Sequence, residues 1–355
     1  MKNKTFVKRI LWALPVIIII GILFWWKSSG GQEQQFTMEY YDVFDTVTTV
    51  TGNAETEEIF REQAEQLHLQ LLKYHQLFDI YHTYEGLTNV KNLNERCATE
   101  AIKVDQELLD FLLFAKKMCV ETNNETNIAL GSVLKIWHDY REEGIKDEPN
   151  ARLPMQIELD SAGLHTSIDN LIIDKKTGEV SFSDSKLQLD VGGIAKGYSV
   201  EKVAQYGKKI GMTNFLLNVG GNIRAVGSKL DGNPWKIGIQ NPSTQDQSEY
   251  IETLEIKEMS VVTSGDYQRY YVVNGKKYCH IIDPDTLYPS NFFASVTVVA
   301  RDSGKADTYS TALFNMDYPS GVKIVEDDPE LEAMWITQNG IIYYSSGFGE
   351  HSEKK

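Results

Sequence analysis

The sequence predicts an α+β fold, with helices concentrated in the first half of the chain and strands in the second. Segments whose apolar residues recur at helical spacing lie mostly before residue 141, whereas strand-like segments rich in β-branched and aromatic residues lie mostly after residue 154. The sequence contains no internal repeat of solenoid length. A regular α/β fold would alternate strands and helices along the whole chain, so the segregated α+β class is favoured.

The first element along the chain is an uncharged apolar run of 17 residues, 10–26, at the short end of what spans a bilayer. Four bases precede the run and one follows it, so the N-terminus is expected inside. A cleaved signal peptide is the alternative, but the run is long for one and lacks a clear small-x-small cleavage site. We predict a cytoplasmic leader over 1–9, a transmembrane anchor over 10–26, a tether over 27–38 and a folded, extracytoplasmic domain over 39–345.

Charge separates this leader from the rest of the protein. The first thirty residues carry five bases and no acid, and the remaining 30 bases against 50 acids leave the body at −20. An acidic body is a poor match for a phosphate backbone, so nucleic-acid binding is not expected. A hydrophobic content of 42% excludes wholesale disorder and a multi-span membrane protein.

The first half of the body is predicted to be mainly helical. Apolar residues at alternating four- and three-residue spacing predict a helix over about 54–78, after a strand over 40–51. His68 and His75 lie in that helix, where packed or solvated histidines are expected rather than metal ligands. Two more helices are predicted, one over 105–119 with Asp105 as N-cap and one over 127–141. A surface loop is predicted over 141–154.

The second half of the body is predicted to consist mainly of β-strands. Asn274-Gly275, between two strand-like segments, is a strong hairpin signal. Strands are also predicted over 171–174, 179–183 and 293–300, with a last helix near 304–316.

The three cysteines, Cys97, Cys119 and Cys279, fit no zinc spacing, and a single disulfide stays open. Cys279 lies beside His280 but is interpreted as a small apolar strand residue rather than a nucleophile.

The most informative stretch is 188–224, where an apolar strand is expected to end in Gly192-Gly193 before Lys196-Gly197 open a helix. Glycines let the backbone approach a ligand, and free N–H groups at a helix start bind anions, to which Lys196 adds a charge. Gly220-Gly221 repeats the pattern after the next strand. Each pair taken alone fits a tight strand turn equally well.

Asp307 and Thr311 form a second constellation. Positions four apart share a helix face, so this carboxylate and hydroxyl can reach one cation together. Oxygen ligands of this kind, completed by a main-chain carbonyl and phosphate oxygens, suit Mg²⁺ rather than zinc. The alternative is that Asp307 simply caps a helix.

His280 forms the third candidate site, at a strand end and followed by Ile281, Ile282, Asp283 and Pro284. A neutral imidazole near a hydroxyl can act as a general base, although a hydrogen-bonded structural histidine is the alternative. Ser264, in the neighbouring Thr-Ser-Gly-Asp run, has no visible triad order, so a serine hydrolase is not favoured.

Together these motifs resemble the FAD:protein FMN transferase family, the ApbE-type flavin transferases. The resemblance is collinear over about 40–320, through FDT at 44–46, FDIYHTYEGLTNVKNLN at 78–94, GSVLKIWHDYR at 131–141, LDVGGIAKGY at 189–198, NVGGNIRAVG at 218–227, PWKIGIQNP at 234–242, VVTSGDYQRYY at 261–271, HIIDP at 280–284 and ADTYSTAL at 306–313.

This resemblance implies an Mg²⁺-dependent enzyme that cleaves the pyrophosphate of FAD, passes FMN to a Thr or Ser hydroxyl of an acceptor protein and releases AMP. It implies two intertwined lobes with mixed or antiparallel sheets and a nucleotide cleft between them. The acceptor is expected to be a membrane-associated redox protein on the outer side of the membrane. An FAD pyrophosphatase using water as acceptor, and a non-enzymatic membrane-anchored flavin carrier, are the alternatives.

The resemblance also assigns roles by motif position. His280 would be the base, and Asp307 would be a second catalytic residue. The metal would be held by Gly193, Asp307 and Thr311. FAD would be contacted by Phe44, Tyr81, Asn127, Lys196 and Ile282. Two positions depart from the family pattern. Many members have Asp at Asn127, and Leu287 replaces a glycine in the turn after HIIDP, which is expected to alter the shape of that loop or the choice of acceptor.

Overall fold

The computed structural model describes residues 33–243 and 250–353. The predicted anchor over 10–26 lies outside the described residues, within which no helix has the length and apolar character needed to cross a bilayer. The elements in chain order are β1 (Gln34–Val43), β2 (Thr46–Ala54), α1 (Glu57–Phe78), α2 (Val90–Arg96), β3 (Ile102–Lys103), α3 (Gln106–Glu121), α4 (Gly131–Lys146), α5 (Gln156–Gly163), β4 (Leu171–Asp174), β5 (Glu179–Phe182), α6 (Ala195–Lys209), β6 (Phe215–Val219), β7 (Asn222–Val226), β8 (Trp235–Gln240), β9 (Tyr250–Ile256), β10 (Ser260–Gly265), β11 (Tyr270–Val273), β12 (Lys276–Cys279), β13 (Phe293–Ala300), α7 (Ser303–Asn315), α8 (Tyr318–Asp327), β14 (Leu331–Thr337) and β15 (Ile342–Tyr344).

The centre of the fold is an eight-stranded sheet in the order β1-β2-β6-β7-β10-β13-β14-β15, with every neighbouring pair antiparallel. Alternate residues of β13 enter two different cores, because successive side chains of a strand point to opposite faces. Val296 and Val298 pack with α7, whereas Val299 packs with the β8–β9 hairpin. The sheet is therefore covered on both faces, and the predicted α+β class with antiparallel strands is confirmed.

Three helices position the site on one face of this sheet. α1 packs on β1, β2 and α6, α6 packs on α7, and α7 packs on β10 and β13. Apolar residues of α1 at helical spacing are buried as predicted, and the Thr56 hydroxyl accepts a hydrogen bond from the Ile59 N–H to start the helix. The largest core cluster runs from this layer into α3 and the small β3-β5-β4 sheet.

The single strand predicted over 40–51 is wrong. β1 and β2 form a hairpin, and its two-residue turn consists of Phe44 (φ 55°) and Asp45 (φ 51°). A two-residue hairpin with both φ values positive normally uses Asn-Gly or Gly-Gly. An aromatic residue is strained there, and the Phe44 N–H is held by a 3.2 Å hydrogen bond to His75 Nδ1.

A smaller lobe packs α4 and α5 against the β11–β12 hairpin, around a separate apolar cluster. The predicted hairpin is confirmed, with Asn274 and Gly275 both at positive φ in its turn. The helix predicted over 127–141 instead spans Gly131–Lys146, so the first part of the predicted loop, 141–146, is helical. Gly131 starts it because an added Cβ would lie 2.4 Å from the Gln188 carbonyl oxygen.

The fold also extends beyond the boundaries expected for the folded domain. β1 begins within the predicted tether, and Phe348 is fully buried after the expected end at residue 345. All three cysteines lie within the described ranges and are buried and free. Burial raises the pKa of the Cys279 thiol to about 11, as expected for a structural residue rather than a nucleophile.

Candidate functional site

The site is built where the first turn of α6 meets the middle of α7. At Gly197 an added Cβ would lie 2.3 Å from the Asp307 Cβ and 2.3 Å from the Ser303 carbonyl oxygen, so only glycine allows the helices to come this close. The Gly197 N–H donates a 2.7 Å hydrogen bond to Asp307 Oδ2. A free N–H at a helix start thus binds a carboxylate, as the geometry of helix termini favours.

Asp307 is the most deeply buried acid of the site, with 5% of its surface exposed. Burial raises the pKa of its carboxyl group, which the Lys196 charge and hydrogen bonds from Gly197 and Asn222 oppose. The N-cap alternative is wrong, because Asp302 caps this helix through the Lys305 N–H. A buried carboxylate that does not cap its own helix is suited to binding a cation.

Thr311 and Gly193 bring two further oxygens close to each other. The Thr311 hydroxyl lies 3.5 Å from the Gly193 carbonyl oxygen, one helical turn beyond Asp307. Adjacent oxygen ligands of an octahedral Mg²⁺ ion, each about 2.1 Å from the metal, lie about 3 Å apart. Among the described residues, no group of three or more His, Cys, Asp or Glu side chains is placed to hold a metal ion. A carboxylate, a hydroxyl and a main-chain carbonyl are oxygen donors of the kind that suits Mg²⁺.

The two glycine pairs differ in their surroundings. Gly192 and Gly193 are exposed, and the expected strand before them is only an isolated bridge from Gln188 to Leu130. Gly220 and Gly221 form the turn between β6 and β7 with φ of 54° and 89°, so for this pair the tight-turn interpretation is correct. That turn still serves the site, because it is followed by Asn222, whose side chain donates to Asp307.

His280 follows β12 and is fixed by the Arg269 backbone. The Arg269 carbonyl oxygen lies 3.0 Å from the His280 backbone nitrogen and 3.1 Å from His280 Nδ1. A carbonyl only accepts hydrogen bonds, so Nδ1 carries the proton and the Nε2 lone pair is free in the neutral ring. Burial, followed by the charges of Arg269, Arg141 and Lys196, lowers the pKa of His280 to about 3.

Lys196 connects the carboxylate to the imidazole, since its charge acts on the pKa of both Asp307 and His280. It lies in the first turn of α6. Its charge therefore acts on a neutral imidazole and on a buried carboxylate at once. Such an arrangement suits chemistry on a phosphate group.

Tyr81 borders the same region, 55% exposed, with its ring 5.5 Å from that of His138. Its pKa is raised by burial and by Asp190, against the charges of Arg141 and Arg269. Arg141 in turn donates to His138 Nδ1 at 3.0 Å. Sequence reasoning did not single out these neighbours, although Arg141 and Arg269 lie inside the quoted motifs.

The remaining predicted FAD contacts are less exposed than Tyr81. Phe44 is half-buried against His75, with ring centroids 5.5 Å apart. The Asn127 side chain is used locally, donating to the Thr166 carbonyl and accepting from the Ala129 N–H. Ile282 is 3% exposed within the small-lobe core. The Asn127 side chain is therefore engaged in local hydrogen bonds and the Ile282 side chain in the small-lobe core, and their contact with FAD stays a prediction.

Leu287 keeps the turn that a glycine would make. It has φ of 59°, so the left-handed conformation is retained despite the side chain. Its carbonyl oxygen accepts a 2.8 Å hydrogen bond from the indole of Trp137, and its side chain fills the space beside Gly163. The change of loop shape or of acceptor preference expected from Leu287 stays a prediction.

Comparison with known proteins agrees with this geometry. A family model described as the ApbE family matches residues 41–335. An FAD:protein FMN transferase of Vibrio cholerae is 31% identical over 266 residues, covering 74% of this chain and 77% of that protein. Another from Klebsiella pneumoniae is 29% identical over 279 residues, covering 76% and 84%. The crystal structure of the ApbE protein from Thermotoga maritima superposes with a TM-score of 0.80 at 28% identity, covering 90% of this chain and all of that one.

Proposed function

The chain belongs to the ApbE family, and from that premise we propose that it is a transferase that moves the FMN part of FAD onto an acceptor protein. The observation that carries the proposal is His280, a neutral imidazole with a free Nε2, sharing Lys196 with the buried carboxylate of Asp307. Phosphoryl transfer needs positioned charges and a base more than covalent chemistry from the protein. Those are the groups that this region contains.

Asp307, Thr311 and the Gly193 carbonyl would hold Mg²⁺. The support is the burial of Asp307 and the 3.5 Å separation of the two neutral oxygens. Once bound, the ion would neutralise charge on pyrophosphate oxygens and so make AMP a better leaving group. Lys196 adds a fixed positive charge on the same side.

His280 would act as general base. Its Nε2 takes the proton of the acceptor Thr or Ser hydroxyl as the oxygen bonds to the FMN phosphorus and the pyrophosphate P–O bond to AMP breaks. The Arg269 carbonyl holds the ring in the tautomer that this step requires. The low pKa keeps the ring unprotonated at neutral pH.

FAD would bind in a cleft between the helical face of the main sheet and the small lobe. Lys196 and Asp307 approach from the first, and His280 and Arg141 from the second. Tyr81, exposed at the edge of this region, is suited to stacking on the flavin or adenine. Phe44 lies in the strained turn of the β1–β2 hairpin, where strain is commonly kept for function.

One experiment separates the transferase from its alternatives. Purified protein is incubated with FAD, Mg²⁺ and a Thr-containing acceptor peptide, and products are followed by mass spectrometry and by AMP release. We expect a flavinylated peptide and AMP in equal amounts. Free FMN without modified peptide would indicate a pyrophosphatase, and FAD that is bound but not consumed would favour a flavin carrier. Unchanged FAD turnover in Asp307→Ala would contradict the metal assignment.

The leader sets where this chemistry would take place. The uncharged run over 10–26, preceded by four bases, supports a single-pass anchor with the catalytic domain on the extracytoplasmic face. The acceptor would then be a membrane-associated redox protein on that side. Protease protection of the body in inside-out vesicles, and its digestion in intact spheroplasts, would support this orientation; the opposite pattern would overturn it.

A further inference from the structure

Ser264 lies beside the proposed cation site but is not one of its ligands. It belongs to β10, on which α7 packs, and its hydroxyl oxygen is 2.8 Å from that of Ser310 and 3.5 Å from that of Thr311. Its neighbour Thr263 points to the opposite face of the strand, where it pairs with Thr297 at 2.8 Å. Of these two adjacent hydroxyl groups on β10, that of Ser264 is therefore the one that contacts α7.

The hydrogen bonds of Ser310 give this contact a direction. The Ser310 hydroxyl is fully buried and donates to the Asp307 carbonyl oxygen at 2.9 Å. A hydroxyl group has one proton, so Ser310 can only accept a hydrogen bond from Ser264. Ser264 therefore donates its own proton to Ser310, and its oxygen keeps a lone pair that can accept a hydrogen bond from Thr311.

The Thr311 hydroxyl has two possible acceptors for its proton. The Gly193 carbonyl oxygen and the Ser264 hydroxyl oxygen each lie 3.5 Å away. O–H···O hydrogen bonds are usually about 2.5–3.0 Å long, so neither acceptor holds the hydroxyl firmly. A cation bound to the Thr311 and Gly193 oxygens rules out a proton shared between them, because the positive charge repels that proton. With the cation bound, the Thr311 proton has to turn to Ser264.

We propose that Ser264 is a positioning residue for Thr311, which accepts the Thr311 proton and so directs a Thr311 lone pair at the cation. This relay of three hydroxyl groups rests on the proposed function, because it concerns the Mg²⁺ site of that reaction. Ser310 completes the relay by taking the Ser264 proton, so that Ser264 does not donate to Thr311 in the wrong direction. Hydrogen bonds behind a metal ligand fix its orientation, and their loss typically lowers metal affinity by about 10–100-fold.

Direct coordination of the cation by Ser264 is the alternative. It would leave the Thr311 proton without either of the two acceptors that the described residues place at 3.5 Å. The relay instead uses every hydroxyl proton, since that of Thr311 goes to Ser264, that of Ser264 to Ser310, and that of Ser310 to a main-chain carbonyl. Full use of the donors favours the relay.

The test is a double-mutant cycle on metal affinity. The full chain in detergent is titrated with Mg²⁺ by calorimetry and with Mn²⁺ by the loss of the free-ion EPR signal, for wild type, Ser264→Ala, Thr311→Val and the double variant. Ser264→Ala should weaken the binding of both ions by about 10–100-fold. In the Thr311→Val background the same substitution should change affinity by less than about twofold, because the proton that Ser264 accepts is gone.

A second pair of variants keeps the test informative even if Thr311→Val binds metal too weakly to measure. Ser264→Thr and Ser264→Val add nearly the same volume, but only threonine keeps the hydroxyl. The threonine variant should retain the metal affinity, and the valine variant should lose as much as Ser264→Ala. Thr263→Val is the matched control, because it removes the neighbouring hydroxyl on the other face of β10 and should leave metal affinity unchanged.

The rate of peptide flavinylation gives a further measurement. Because the loss in Ser264→Ala is one of metal affinity, raising the Mg²⁺ concentration by about a hundredfold should restore the rate. A rate that stays low at saturating Mg²⁺ would contradict a role confined to the metal ligand.

Three results on metal binding would also overturn the relay. Unchanged affinity in Ser264→Ala would remove Ser264 from the site, and equal losses in the wild-type and Thr311→Val backgrounds would assign Ser264 to the cation directly. Equal losses in Ser264→Thr and Ser264→Val would indicate distortion of β10. If wild type binds Mg²⁺ through the relay but produces no flavinylated peptide, the relay stands and the proposed transferase fails.

Discussion

Replacing Gly197 by alanine should separate α6 from α7 and disable the site. The new Cβ would lie 2.3 Å from both the Asp307 Cβ and the Ser303 carbonyl oxygen. Neither atom belongs to the far end of a flexible side chain, so the helices have to move. Since non-bonded carbons settle at about 3.5 Å, the required displacement is about 1 Å.

The magnitude follows from two losses. Forcing an extra methyl group into a packed contact costs about 1–3 kcal/mol. A displacement of 1 Å also breaks the 2.7 Å hydrogen bond from the Gly197 N–H to Asp307, and a bond to a carboxylate contributes about 1.5–3 kcal/mol. We expect Gly197→Ala to lower the free energy of unfolding by about 3–5 kcal/mol, out of the roughly 5–15 kcal/mol that a domain has.

The assay is urea unfolding followed by circular dichroism, together with the rate of peptide flavinylation. A 1 Å misplacement of a reacting group costs about a hundredfold in rate, so folded Gly197→Ala should lose at least that much activity. Gly349→Ala is the matched control, because its added Cβ meets nothing within 4 Å and its φ is not positive. An unfolding free energy within 1 kcal/mol of wild type, with unchanged activity, would refute the close approach of the helices.

Three further predictions test individual groups. Asp307→Asn should abolish flavinylation and the thermal stabilisation of the protein by Mg²⁺. Without metal, the variant should be at least as stable as wild type, because burial disfavours the charged carboxylate. Thermal unfolding with and without MgCl₂ measures both effects, and retained stabilisation by Mg²⁺ would contradict the prediction. The acid limb of kcat/KM should lie below pH 5 rather than near 6.5, because His280 stays neutral down to about pH 3. The unfolded chain binds the proton first as pH falls, so the contribution of His280 to stability is also lost on acidification between about pH 6.5 and 3, and titration of His280→Gln supplies the baseline. Leu287→Ala and Leu287→Gly both lose packing, but only the glycine relieves the backbone strain of φ 59°. The free energy of unfolding should therefore be about 1 kcal/mol higher for the glycine variant than for the alanine variant. The reverse order in urea unfolding would mean that this turn is unstrained.

The parts of the fold that were predicted correctly are those with short-range causes. The spacing of apolar residues in α1 and the Asn274-Gly275 turn each depend on neighbours a few positions away, and both were confirmed. Conformational preference and hydrophobic periodicity depend on residues only a few positions apart, so they can be recognised in a single sequence. The α+β class followed from the same local signals.

The errors have causes that are distant in sequence. Nothing local marks Phe44-Asp45 as a turn, because its positive φ values are stabilised by His75, 31 residues away. Taken alone, an aspartate such as Asp307 at a predicted helix start is more often a cap than a metal ligand, but the structure has Asp302 in that role. In both cases the deciding contact is tertiary, and local patterns cannot report it.

Arg141 and Arg269 were missed for a related reason. Each lies in a motif whose other residues drew attention, and arginines on an acidic surface ordinarily find carboxylate partners. What distinguishes them is that the charges of both lower the pKa of His280. Arg141 is remote from His280 in sequence, so this property depends on the tertiary structure.

The net charge of the protein is consequently a poor guide to its substrate. A body at −20 repels FAD, itself an anion, at long range, but that field is screened within about 10 Å at ordinary ionic strength. The charges of Arg269, Arg141 and Lys196 instead act locally, because all three lower the pKa of His280. The acidic surface gives other polyanions no general attraction, whereas these local cations favour an anionic ligand near His280. Overall repulsion and local attraction together therefore favour a compact dinucleotide over a nucleic acid.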